Sequence, residues 1–231
     1  MQQILQKILQ KIMNFRLEIF LFYIFSFELV ASLSSTTQNS KKRILILGGN
    51  GFLGSHLVRK LSESEDQSYH ITVLNRGNVY FNSDKESLNY ADNILTCDRN
   101  TLLRRTCPGL VGKSKYDAVV DFSSYTGQQM EQVIDILKGR VNGVYVLISS
   151  DAVYEVTEKY HTNKTMEEDS RNEPRDQKTK DKLEKNNKYG ASKKEAEDRL
   201  FEQRDKLGFP YVVLRLADAL GRWSYLKFRD L

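Results

Sequence analysis

Residues Arg43 to Leu61, Arg-Ile-Leu-Ile-Leu-Gly-Gly-Asn-Gly-Phe-Leu-Gly-Ser-His-Leu-Val-Arg-Lys-Leu, constrain the fold more than any other stretch of this chain. The four apolar residues Ile44 to Leu47 read as a strand buried on both faces, the composition of a parallel sheet. Gly48, Gly51 and Gly54 follow as G-x-x-G-x-x-G. Leu53, Leu57, Val58 and Leu61 then fall on one side of a helix. A tight turn into a helix N-terminus presents backbone N–H groups and the positive end of the helix dipole, an arrangement suited to a pyrophosphate. Glycine is needed where a side chain would block the phosphates or hold the helix away from the strand.

The same alternation continues. Ile71–Leu74, Asn93–Asp98, Tyr116–Phe122, Gly143–Ser150 and Tyr211–Leu216 read as further strands. Gln128–Lys138, ended by Gly139, and Tyr189–Leu207, stopped by Gly208 and Pro210, read as helices. Strands of buried composition alternating with helices predict an α/β fold with a doubly wound parallel sheet and ligands at the carboxyl ends of the strands. At 231 residues the chain holds one such domain, over residues 41–231. Thr157 to Lys188 carries mixed charges and reads as a solvated, mobile segment.

Residues 1–40 stand apart. Ile4, Leu5, Ile8, Leu9, Ile12 and Met13 share one helical face, and Ile19–Phe27 is a short apolar run followed by small residues. The segment reads as signal-like, or as an amphipathic helix making membrane contact through residues 1–33. Glu18 and Glu28 fence the apolar run and leave it short for a bilayer span. A cytoplasmic location is expected unless the segment acts as a targeting signal. The net charge of +5 allows an acidic ligand without demanding one, and no basic–aromatic pattern points to nucleic acid. Cys97 and Cys107 have neither metal-ligand nor framework spacing and are expected to be free thiols; the three histidines are scattered, so no metal site is expected.

Two further segments carry chemistry. Asn75-Arg76-Gly77 ends the second strand, with Asn75 21 residues beyond Gly54, where NAD-preferring folds usually place a carboxylate for the adenosine ribose. A guanidinium there suits a 2′-phosphate, so NADP is expected rather than NAD. Asp98, closing the third strand, either accepts from an adenine amino group or caps the following turn. Ser149-Ser150 closes the fifth strand, and Tyr189-Gly-Ala-Ser-Lys193 opens the next helix with the phenol and the ammonium four residues apart on one face. An ammonium so placed, together with the positive nicotinamide ring, is expected to lower the tyrosine pKa, while the serine hydroxyl holds a substrate oxygen.

Leu47-Gly-Gly-Asn-Gly-Phe-Leu-Gly54, Asp98-Arg99, Ile148-Ser-Ser-Asp-Ala-Val-Tyr154, Tyr189-Gly-Ala-Ser-Lys193 and Leu214-Arg215 resemble, in order, the extended short-chain dehydrogenase/reductases of the NAD-dependent epimerase/dehydratase group. Asn75-Arg76-Gly77 and Cys97-Asp98-Arg99 are closer to its atypical members. The resemblance implies a Rossmann domain with Tyr189 as acid/base, Lys193 as its partner and a cofactor-ribose contact, and Ser150 as the orienting hydroxyl. It implies cofactor contacts from Gly48, Gly51, Phe52, Leu53, Gly54, Asn75, Arg76, Asp98 and Arg99. The activity implied is hydride transfer between nicotinamide and a secondary alcohol, carbonyl or sugar, and the assembly allowed is a homodimer. The alternative within the resemblance is a non-catalytic NADP-binding or RNA-binding member. Asp151 is followed by Ala152 where dehydratases carry a glutamate, and Asp218 stands where sugar-nucleotide members often have an asparagine. Relatives continue beyond Gly221 into a substrate-binding region, so the chain as written is expected to bind cofactor with little or no turnover.

Overall fold

The computed structural model describes residues 41–65, 68–80, 85, 87–158, 167–203 and 210–217. The segment 1–40, Asp218 and everything after it lie outside the described residues. Six parallel strands form one sheet: β1 (Lys42–Leu47), β2 (Tyr69–Asn75), β3 (Asn93–Thr96), β4 (Tyr116–Asp121), β5 (Val141–Ser150) and β6 (Tyr211–Leu216), in the order β3-β2-β1-β4-β5-β6. The order reverses at β1, which pairs with β2 on one side (Leu45 opposite Thr72) and β4 on the other (Leu45 opposite Val119). Loops leaving β1 and β4 must therefore diverge, and a crevice opens between them at the carboxyl ends.

The period-2 alternation of strand side chains divides the core into two layers. Leu45, Leu47, Val119, Tyr145 and Leu147 point to one face, against α3 (Gly127–Leu137) and α5 (Lys188–Glu202) through Met130, Val133, Leu137, Ala196 and Leu200. Ile44, Ile46, Val73, Val120, Val146 and Ile148 point to the other, against Leu57, Val58 and Leu61 of α1 (Phe52–Ser62). Both faces are covered at the middle of the sheet, so β1, β4 and β5 have apolar centres, while the edge strand β3 is mostly exposed.

Three sequence expectations change. The segment read as wholly irregular contains a 3₁₀ turn at Glu167–Arg171 and the helix α4 (Gln177–Asn186). Asp176 caps that helix by accepting from the Thr179 N–H at 2.8 Å, and Gln177 donates to Asp181 one turn on. No α4 residue is buried, so the helix lacks the apolar stripe by which helices are read. The third strand stops at Thr96, two residues short of Asp98.

The cysteines, expected to be free, form a disulfide, Cys97–Cys107, with Cα atoms 5.5 Å apart. A turn brings them together: Asp98 accepts the Asn100 N–H and the Thr101 hydroxyl, and the short helix α2 (Leu103–Thr106) then delivers Cys107 back beside the end of β3. Spacing alone does not reveal such a reversal. Closing a loop with a sequence separation of 10 restricts the unfolded chain, and reduction or Cys107→Ala should cost about 2–3 kcal/mol. Urea unfolding with and without reductant checks this; coincident curves would mean that the bridge contributes nothing.

No described helix is long and apolar enough to cross a membrane.

Candidate functional site

A cleft of about 550 Å³ opens at the carboxyl ends of the strands, where the sheet order reverses. Gly48, Gly51, Phe52, Leu53, Gly54, Asn75, Arg76, Asp98, Arg99, Ser150, Tyr189 and Lys193 all line it. Residues 145 positions apart in the chain thus share one cavity only because β1, β2, β4 and β5 end at one level.

The glycine turn forms one wall. Gly48 has φ +83°, a conformation side-chain-bearing residues rarely adopt. Its N–H donates to the Leu74 carbonyl at 2.8 Å, which ties the turn to the end of β2. A Cβ on Gly54 would sit 2.2 Å from the Gly48 oxygen and 2.9 Å from the Gly49 Cα, so α1 approaches β1 closely enough that only hydrogen fits. Gly51 is the helix N-cap, with no side-chain cap and no acidic residue in the first turn. The positive end of α1 therefore meets the cleft without a competing carboxylate. Asn50, which sequence reasoning passed over, donates to the Asn78 carbonyl at 2.6 Å and joins the turn to the loop after β2.

The Asn75 side chain is buried and turns back on its own loop: its Oδ1 accepts the Gly77 N–H at 2.6 Å, leaving Nδ2 buried without a partner. Arg76 is exposed at the rim. Asp98 caps its own turn through Oδ1 and stays exposed in the cleft wall. Arg99 behaves differently from an open cofactor contact. Its guanidinium is buried, ion-paired with Asp121 at 2.7 Å and bonded to the hydroxyls of Ser123 and Ser124.

At the other end, Tyr189 is 49% exposed and Lys193 only 2%. The Lys193 ammonium donates to the carbonyls of Ser124 and Ile148, each at 2.9 Å, and lies 4.6 Å from the centroid of the Tyr125 ring. Burial pulls its pKa down to about 8. The Tyr189 pKa is raised, first by burial and then by Tyr125 and Asp151, against a smaller lowering influence of Ser150. The expected lowering by Lys193 is therefore corrected: the ammonium is turned toward backbone carbonyls, and the phenol is a proton donor at neutral pH. Sequence reasoning also missed Tyr125, whose ring lies 6.3 Å from that of Tyr189, and the buried carboxylate of Asp121. A charged residue directly following the apolar run Ala118–Val120 was the available signal for Asp121.

Behind this wall, Arg215 on β6 grips Glu197 of α5 at 2.7 Å and also donates to the hydroxyls of Tyr154 and Ser170. These contacts fix α5, and with it Tyr189 and Lys193, against the end of the sheet.

Residues 44–230 match the NAD dependent epimerase/dehydratase family. The chain belongs to that family. Among solved structures, this family member is similar to the UDP-Glc/GlcNAc 4-epimerase of Campylobacter jejuni, with 19% identity and a TM-score of 0.57 over 75% of this chain and 53% of that one. It is similar to a dTDP-glucose 4,6-dehydratase from Bacillus anthracis in complex with NAD, with 18% identity and a TM-score of 0.56, covering 75% and 54%. A UDP-glucose 4-epimerase from Brucella ovis in complex with NAD matches with 23% identity and a TM-score of 0.51, covering 75% and 51%. The chain thus spans about half the length of these epimerase/dehydratase structures, which share its fold. No curated protein matches the sequence.

A dinucleotide fits the cavity of this family member on its own geometry. The uncapped start of α1 faces the cleft, and Asn75 Nδ2, Arg99 Nε and Ser149 Oγ are buried polar atoms without a partner beside it. Buried donors of this kind ordinarily have a partner.

Proposed function

We propose that this chain binds NADP(H) in preference to NAD(H) and supports proton-coupled chemistry at a secondary alcohol or carbonyl, with a sugar as the favoured substrate class. The observation that carries this reading is the convergence of the glycine turn, the Asn75–Arg76 rim and the Ser150–Tyr189–Lys193 group on one cleft.

In this reading, the uncapped start of α1 holds the diphosphate, and Arg76 forms a charge-assisted pair with the 2′-phosphate. Lys193 holds ribose hydroxyls with the ammonium capacity its two carbonyl bonds leave over. The nicotinamide ring, when bound, supplies the hydride donor or acceptor. Tyr189 gives its phenolic proton to the substrate oxygen or takes it back, and Ser150, which lines the same cleft, orients that oxygen. Asp151, exposed beside Ser150 and accepting from its hydroxyl at 3.2 Å, is available to a polar substrate group. The nucleic-acid alternative draws no support from the basic residues of α4, since Lys180 pairs with Glu173 at 3.0 Å on a mixed-charge surface.

Titration of both cofactors at one ionic strength tests the reading. NADPH should bind about 10–100-fold more tightly than NADH, the equivalent of a charged contact at a partly open site. Arg76→Ala should remove most of that preference while leaving NADH affinity unchanged. Equal affinities in the native chain, or a preference that survives the substitution, would reject the assignment.

A further inference from the structure

Asp121 takes no direct part in the reading above, yet more hydrogen bonds converge on it than on any other carboxylate among the described residues. It ends β4 and is fully buried. Oδ1 accepts the N–H groups of Ser123 and Ser124 at 2.8 and 2.9 Å, together with the Arg99 guanidinium at 2.7 Å. Oδ2 accepts the Ser124 and Tyr145 hydroxyls, both at 2.6 Å. A buried ion pair of this kind is weak as a stabilising device, because desolvating both charges consumes most of their attraction. Its geometry has another consequence. Gripping Ser124 through both its backbone N–H and its hydroxyl fixes the peptide that follows, and the Ser124 carbonyl is one of the two acceptors holding the Lys193 ammonium.

We propose that Asp121, clamped by Arg99, is a positioning residue for Lys193: through Ser124 it aims the ammonium into the cleft, and through its charge it keeps that ammonium protonated at neutral pH. This rests on the reading of Lys193 as a cofactor contact. The charged and titratable groups around Lys193 are Asp121 on β4, Arg99 after β3, Glu197 one turn along α5, and the Tyr125 ring. β5 contributes only the neutral Ile148 carbonyl. Burial lowers the lysine toward about 8, Asp121 is the strongest influence opposing that shift, and Arg99 adds to it. Removing the carboxylate charge while Arg99 remains should therefore bring the loss of the ammonium to lower pH. Tyr189 lies above its ordinary value and does not titrate in that window.

The experiment follows NADPH affinity of the full chain between pH 6.5 and 9.5, a test range chosen on both sides of the lysine titration. Native protein should lose affinity as pH rises through about 8. In Asp121→Asn the fall should begin about one pH unit lower. Tyr145→Phe, which removes one donor to the same carboxylate and leaves Asp121 charged and Ser124 gripped, should keep the native profile despite lower stability. A folded Asp121→Asn with the native profile, or a Tyr145→Phe shifted equally, overturns the positioning role. If Asp121→Asn fails to fold, the apolar pair D121L with R99M removes both buried charges together and should shift the fall in the same direction but by less, because the Asp121 influence on the lysine outweighs the opposing one of Arg99. Lys193→Ala separates the two readings. If it leaves NADPH affinity unchanged, the cofactor contact itself fails and the positioning role falls with it. If it weakens binding while Asp121→Asn keeps the native profile, only the positioning role fails.

Discussion

In a form of the protein with a complete substrate site, Tyr189→Phe should lower turnover by about 10²–10⁴-fold while changing the NADPH dissociation constant by no more than about twofold. The substitution removes one hydroxyl. The ring keeps its place beside Tyr125, 6.3 Å between centroids, and the half-exposed position tolerates the loss without a cavity. What disappears is the proton that the raised phenol pKa keeps available at neutral pH. Lys193→Ala should behave differently, weakening cofactor affinity and turnover together. Single-turnover measurements on carbonyl and sugar substrates, beside a cofactor titration, separate the two. A Tyr189→Phe protein retaining most of its activity would make the tyrosine structural.

Gly54→Ala should weaken NADPH binding by well over tenfold and lower stability by about 1–3 kcal/mol, the cost of forcing volume into a packed site. The added Cβ meets backbone on two sides, the Gly48 oxygen at 2.2 Å and the Gly49 Cα at 2.9 Å, so no side-chain rotation relieves it. α1 must move away from β1, and the uncapped N-terminus that lines the cleft moves with it. Gly112→Ala is the matched control: nothing lies within 4 Å of its Cβ, and both quantities should stay native. Calorimetric titration and thermal unfolding of the two variants decide the matter. A Gly54→Ala protein that binds like the control would show that the turn adapts and that the glycine is dispensable.

The sheet was legible in the sequence because Ile44–Leu47, Val119–Val120 and Val144–Ile148 are apolar on both faces, a pattern that only helices on each side can cover. Helices with an apolar stripe were legible for the same reason. α4 was not, since its signal is one capping aspartate and a run of helix-forming polar residues rather than burial. The glycine turn and the Tyr189–Lys193 spacing are local, and local spacing survives into structure. The Cys97–Cys107 pairing and the Asp121–Arg99–Ser124 clamp are not local: both depend on where the Asp98 turn sends the chain. The direction of the Tyr189 shift depends on burial and on which carbonyls hold Lys193, and a linear spacing carries neither.

The place of β1 in the sheet also sets an order of events during synthesis. The Leu47 carbonyl accepts from Phe122, a Cβ on Gly48 would lie 3.0 Å from the Ser123 Cβ, and Arg43 donates to Asp117 across 74 residues of sequence. At a synthesis rate of about 5–20 residues per second, the glycine turn leaves the ribosome several seconds before the strand that supports it. Until then β1 presents an unpaired apolar edge on the β4 side, the kind of surface that attracts chaperones or another nascent chain. Dinucleotide affinity in this chain is consequently a late acquisition: it should appear in step with the burial of Asp121, not with the formation of α1, and it marks the moment at which the exposed edge is closed.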